Sequence, residues 1–182
     1  MENSDNFGIR KEGDSASDRL EKFFLQSLQE IYYAEVNISR KYDLIKDEIE
    51  SADLQKILKI HFAVHLKHQE RLIKVFEMRG ETPTGKNCDT FDAIIREGST
   101  HLNLFAEDIA NWEIALVLLS QKFSHFKIAS YGGLAHLAIK LNYYDAAALL
   151  AFCVQEEEEY IAENLDALFN TFLAKHVEGY KN

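Results

Sequence analysis

Apolar residues recur along this chain at steps of three and four, the spacing that lines side chains along one face of an α-helix. The first series is Leu20, Phe24, Leu28, Ile31, Ile38, Tyr42 and Ile45, and the second is Leu54, Ile57, His61, Val64, His68, Leu72 and Val75. A third runs through Ile114, Leu118, Gln121, His125, Ile128 and Gly132, and a fourth through Ala147, Leu150, Val154, Glu157, Ile161 and Leu168. The pattern predicts four long helices, over about Asp18–Ile49, Ala52–Arg79, Asn111–Ile139 and Tyr143–Lys175. Ser51 and Asn142 are candidate N-caps, and Gly80 is a candidate C-terminal cap.

The connection from Glu81 to Ala110 holds the only proline, Pro83, and a shorter amphipathic piece around Phe91 to Phe105 with Ile94, Ile95, Leu102 and Leu104. Two antiparallel hairpins joined by one long crossover is the order of a ferritin-like bundle. The predicted fold class is therefore all-α, a ferritin-like four-helix bundle with a short helix in the crossover. Residues 1–17 lack apolar periodicity and read as a flexible tail, 18–176 as the bundle and 177–182 as a C-terminal tail.

Each stripe is broken near its middle by one ionisable residue: Glu35, His68, His125 and Glu157. Neighbouring helices joined by a short turn place residues equally far from that turn at equal height. Glu35 lies sixteen residues before Ser51 and His68 seventeen after it. His125 and Glu157 lie sixteen and fifteen residues from the Leu141–Asn142 turn, a mismatch of roughly 1.5 Å of helix rise. His61 shares the helix-two stripe and His65 sits beside it. Imidazole nitrogens and carboxylate oxygens are ligands for zinc, iron or manganese, so Glu35, His61, His65, His68, His125 and Glu157 form the candidate metal set. The expectation is one divalent ion, or none.

The net charge of −10 argues against attraction to nucleic acid phosphates or anionic membranes. There is no run of about 18 apolar residues and no secretory leader, which points to a soluble, cytoplasmic protein. Two cysteines without CxxC spacing give neither a disulfide framework nor a thiolate zinc site. Phosphate-binding glycine loops and nucleophile elbows are lacking.

Several stretches resemble the YciE/YciF type of bacterial ferritin-like, stress-associated proteins. They are Ile31-Tyr32-Tyr33-Ala34-Glu35, the connection Gly80-Glu81-Thr82-Pro83-Thr84-Gly85-Lys86-Asn87-Cys88, and Gln121-Lys122, His125-Phe126, Ile128-Ala129 and Tyr131-Gly132. Asp145-Ala146-Ala147 and Glu156-Glu157 complete the set. The resemblance spans about Leu20 to Leu168 and implies a carboxylate-rich, iron-type metal pair between the helices. The chain departs from that pattern at the ligands: Val64 stands three residues after His61 where the family has glutamate, and Ser124 precedes His125 where the family again has glutamate. No Glu-x-x-His occurs anywhere, although a ferritin-like di-metal site draws one from each of two helices. A mononuclear site is expected in its place.

Structural readings stand beside the metal reading. Glu35 pairing with a protonated His68, and Glu157 with His125, would satisfy the carboxylates without metal. His65 and one of His61 or His68 would then be partly exposed. Gly132-Gly133 reads as a close helix contact, and Tyr32, Tyr33, Tyr143 and Tyr144 read as packing. Apolar residues beyond one face, namely Phe23, Tyr32, Phe62 and Phe76, favour a homodimer. Three functions remain open: a metal-dependent oxidase or peroxide-consuming stress protein, a structural mononuclear metal site, and a binding or scaffolding bundle that has lost its metals.

Overall fold

The computed structural model describes residues 15–179, with side chains over 15–174. Helix α1 (Ala16–Ile45) starts two residues earlier than the apolar stripe suggests because Ser15 and Asp18 close a capping box. The rest of the expected N-terminal tail lies outside the described residues. At the other end the backbone is helical to Gly179, into the span expected as a C-terminal tail.

A 3₁₀ turn, Lys46–Glu48, leads into α2 (Ala52–Met78), where the Ser51 hydroxyl accepts from Leu54 N–H at 3.3 Å as an N-cap. The Glu113 carboxylate of α4 (Ile109–Lys140) holds this turn by accepting the N–H groups of Glu50 and Ser51 at 2.9 and 2.6 Å. Gly80 ends α2 at φ +67°, the left-handed conformation that glycine adopts without a Cβ penalty. The crossover carries α3 (Asp89–Leu104), which lies against α4 at Gly98. A Cβ there would meet the Leu119 side chain at 2.5 Å.

Asn142 adopts φ 62° and terminates α4, with Tyr143 N–H donating to Ala138 C=O at 2.8 Å; it is not the N-cap of the next helix, a place taken by Tyr143. Helix α5 (Tyr144–Tyr160) continues through a π-helical turn, Ile161–Leu165, into α6 (Asp166–Gly179). Among the described residues no strand occurs, and no helix is long and apolar enough to cross a membrane.

The core falls into two apolar clusters. One gathers Phe24, Leu28, Leu72, Tyr131, Leu134 and Leu150, and the other Ile49, Leu54, Leu58, Trp112, Leu116 and Leu165. Along α2 the histidines stand between Leu58 of the second cluster and Leu72 of the first, so a polar layer separates two apolar ends. Three side chains expected to cover a partner are largely used within the chain: Phe76 is fully buried against Tyr32, and Phe62 stacks on Tyr42. Phe23 stays exposed. The Gly132-Gly133 pair does not mark a close contact within the chain, since a Cβ at either would meet nothing within 4 Å.

Candidate metal centre

The polar layer is built from one to three side chains of each long helix. Glu35 from α1 and Glu157 from α5 are both fully buried. His61, His65 and His68 follow one another on α2 at steps of four and three, and all three are buried, against the expectation that two of them reach solvent. The inward face of α2 therefore carries His65 rather than Val64.

From α4 comes a residue the stripe did not single out. Lys127 is fully buried, and its Nζ lies 2.5 Å from Glu157 Oε1, 3.0 Å from Glu35 Oε1 and 2.8 Å from His65 Nδ1. His125, two residues earlier, is exposed and takes no part in the cluster. The expected pairing of Glu157 with His125 is thus replaced by Glu157 with Lys127 and with His61, whose Nε2 stands 3.1 and 3.0 Å from the two carboxylate oxygens.

Glu35 receives four partners. His65 Nδ1 lies 2.7 Å and His68 Nδ1 3.1 Å from its oxygens, and the Tyr131 hydroxyl donates at 2.7 Å in addition to the lysine contact. The facing of Glu35 and His68, expected from their equal depth, is present as this contact. On its other nitrogen His68 reaches Glu156 Oε2 at 3.0 Å, and Arg71 grips the same carboxylate with two N–H groups. Tyr160 stacks on His61 with ring centroids 3.7 Å apart. Its hydroxyl and that of Ser124 are buried without a partner among the described residues.

Burial alone would raise the carboxyl pKa values of Glu35 and Glu157. The Lys127 ammonium and the histidines outweigh it and hold both well below the usual carboxylate range. For His65, burial and then the neighbouring ammonium drive the pKa down to about 3, and burial likewise lowers His61. Both rings are neutral at pH 7. Burial opposes the charge on Lys127, but the two carboxylates prevail and raise its pKa.

The two buried carboxylates and one buried ammonium do not fit a di-metal centre. Bridging glutamates from the Glu-x-x-His pairs are missing, and the Lys127 ammonium already balances part of the carboxylate charge that two cations would need. A single ion fits better. Ligand atoms of His61, His65 and Glu157 all lie within 4.8 Å of one another, slightly more than the roughly 4.4 Å that two bonds of about 2.2 Å span, so a small side-chain shift would bring them onto one cation. His65 Nδ1 sharpens the point: a hydrogen there serves Glu35 and opposes Lys127, a lone pair does the reverse, and a metal in the ammonium's place satisfies both oxygen and nitrogen.

Lys127, Tyr131, Glu156 and Tyr160 were not legible as site residues. Lys127 and Tyr131 share the α4 stripe Ser120, Ser124, Lys127, Tyr131 and Leu134, whose spacing was the available signal.

Known proteins resemble this chain in sequence and fold. The family model described as a domain of unknown function, DUF892, matches residues 19–178. Protein YciF of Escherichia coli strain K12 is 27% identical over 140 residues, spanning 76% of this chain and 84% of YciF. The crystal structure of the E. coli stress protein YciF superposes with a TM-score of 0.78 at 27% identity, covering 86% of this chain and 98% of that one. YcfI from Rhodopseudomonas palustris gives a TM-score of 0.77 at 28% identity, covering 87% and 98%.

Proposed function

The chain belongs to the DUF892 family, among the YciE/YciF-type proteins, and from that premise we propose that it is a stress-associated protein whose bundle binds one divalent metal ion. The observation that carries this reading is the mutual approach of His61, His65 and Glu157 donor atoms within 4.8 Å in a buried layer. Two imidazoles and one carboxylate suit iron, manganese or zinc. Once bound, such an ion supplies Lewis acidity or, for iron and manganese, redox chemistry.

The chain's own residues set the terms of binding. Glu35 aligns His65 and His68, and Tyr131 fixes Glu35 in turn. Lys127 Nζ contacts Glu157 Oε1 and His65 Nδ1, on two of the three residues that would hold the ion, so ion and ammonium would compete for them and uptake would displace the lysine side chain. A second reading follows from the same contact: with Lys127 as a permanent internal cation, the protein is a helical binding module that needs no metal.

Metal analysis after equilibrium dialysis against iron(II), manganese(II) and zinc separates the two. About one ion per chain, lost in His61→Ala and Glu157→Ala and retained in His125→Ala, supports the metal centre. Folded wild-type protein that takes up none of the three supports the internal-cation module.

A further inference from the structure

A cavity of about 220 Å³ opens between α1, α2, α3 and α4 and ends on the rings of His61 and His65. Its walls are apolar and partly aromatic, formed by Tyr42, Leu58, Phe62, Leu102, Leu116 and Phe123. Tyr42 and Phe62, which both line it, stack with ring centroids 4.9 Å apart. An apolar protein cavity of about 150 Å³ accepts benzene, so this one has room for a single ring with a short substituent.

The inner end differs from the walls. His61 turns Nε2 to Glu157 and His65 turns Nδ1 to Glu35 and Lys127, while His61 Nδ1 and His65 Nε2 bond to nothing among the described residues. Both side chains are at least nine-tenths buried, at 4% and 3% exposure, and both line the cavity. Because His61 Nε2 spends its hydrogen on a carboxylate, Nδ1 offers a lone pair. No carboxylate lines the cavity to hold a cationic ligand, and its only formal cation, Lys41, is exposed and remote from the histidines in sequence.

We infer that this cavity binds a small uncharged phenol or aromatic alcohol, its ring against Tyr42, Phe62 and Phe123 and its hydroxyl on the unpartnered nitrogens of His61 and His65. A hydroxyl suits the inner end because it both donates and accepts, whichever tautomer each ring holds. Binding does not rest on the metal reading, because the nitrogens offered to the hydroxyl are the ones that do not face Glu157, Glu35 and Lys127.

The test is an NMR titration of the ¹⁵N-labelled full chain in chelator with p-cresol, and in parallel with toluene, following the histidine ring nitrogens. Expected are saturable binding of p-cresol, a shift of the His61 and His65 ring signals, and affinity for toluene about tenfold weaker, the loss of one good hydrogen bond in an enclosed site. Ser120→Phe, which fills the cavity from its α4 wall, removes the p-cresol response in a folded variant. Toluene binding as tightly as p-cresol, or no saturable ring shift in the wild type, overturns the inference, as does p-cresol binding that survives in folded Ser120→Phe. If that variant does not fold, the wild-type titration decides alone. Repeating it with zinc-loaded protein keeps this result distinct from the metal question, because the phenol response is expected whether or not zinc binds.

Discussion

Replacing Lys127 by methionine keeps much of the side chain's bulk and removes its charge, leaving Glu35 and Glu157 buried without their common cation. Removing one partner of a buried charge set costs about 3–5 kcal/mol, since the remaining charges stay out of water uncompensated. Lys127→Met in chelator is expected to lose that much stability in urea unfolding, and to recover part of it when a metal that binds the site is added. A loss under about 1 kcal/mol would mean that the histidines alone balance the carboxylates. His125→Ala is the contrasting case. Its ring is exposed, so stability should stay within about 0.5 kcal/mol of wild type and metal content should not change.

At the scale of elements, the helix ends carry the next predictions. Gly80 holds φ +67° with its N–H on Glu77 C=O and the Glu81 N–H on Phe76 C=O, so Gly80→Ala forces a Cβ into the left-handed region and should cost about 1 kcal/mol by chemical denaturation. Asn142 sits at φ 62°, and Asn142→Gly should leave stability unchanged or raise it by up to about 1 kcal/mol, whereas Asn142→Val should lower it. The same elements show what was legible in the sequence. Helices α1 and α2 have polar outer faces, so their stripes fix their phase and bring Glu35, His61 and His68 inward. Helix α4 is apolar on most sides, with Leu116, Val117, Leu118 and Leu119 in succession, because α3 covers one flank while the bundle covers another. Periodicity then leaves its rotation open. The stripe read through His125 is displaced by one residue from the inward one through Ser124 and Lys127, a rotation of about 100°. A buried lysine is also the residue least expected inward from sequence, since only its tertiary partners make its burial tolerable.

The polar layer makes the stability of the whole molecule depend on pH in a defined way. His61 and His65 have folded pKa values below the ordinary imidazole value of 6.5, His65 at about 3, because burial disfavours their charged forms. Between those values the unfolded chain binds protons that the folded chain refuses, so stability falls as pH drops below about 6.5. Glu35 and Glu157, also depressed, contribute stability that is present above their unfolded value near 4.5 and is lost as pH falls further. Lys127 acts at the other end. Its raised pKa contributes stability that is complete below the unfolded value of about 10.5 and fades as pH rises beyond it. In chelator, the thermal midpoint measured by calorimetry should therefore be flat from about pH 7 to 10 and decline on both sides, with the acid decline beginning above the range where carboxylates alone would act. A midpoint that rises between pH 7 and 5 would show the buried histidines taking up protons in the folded bundle. That outcome would move the positive charge of the layer from Lys127 to the imidazoles and remove the basis for treating His61 and His65 as neutral donors to a metal.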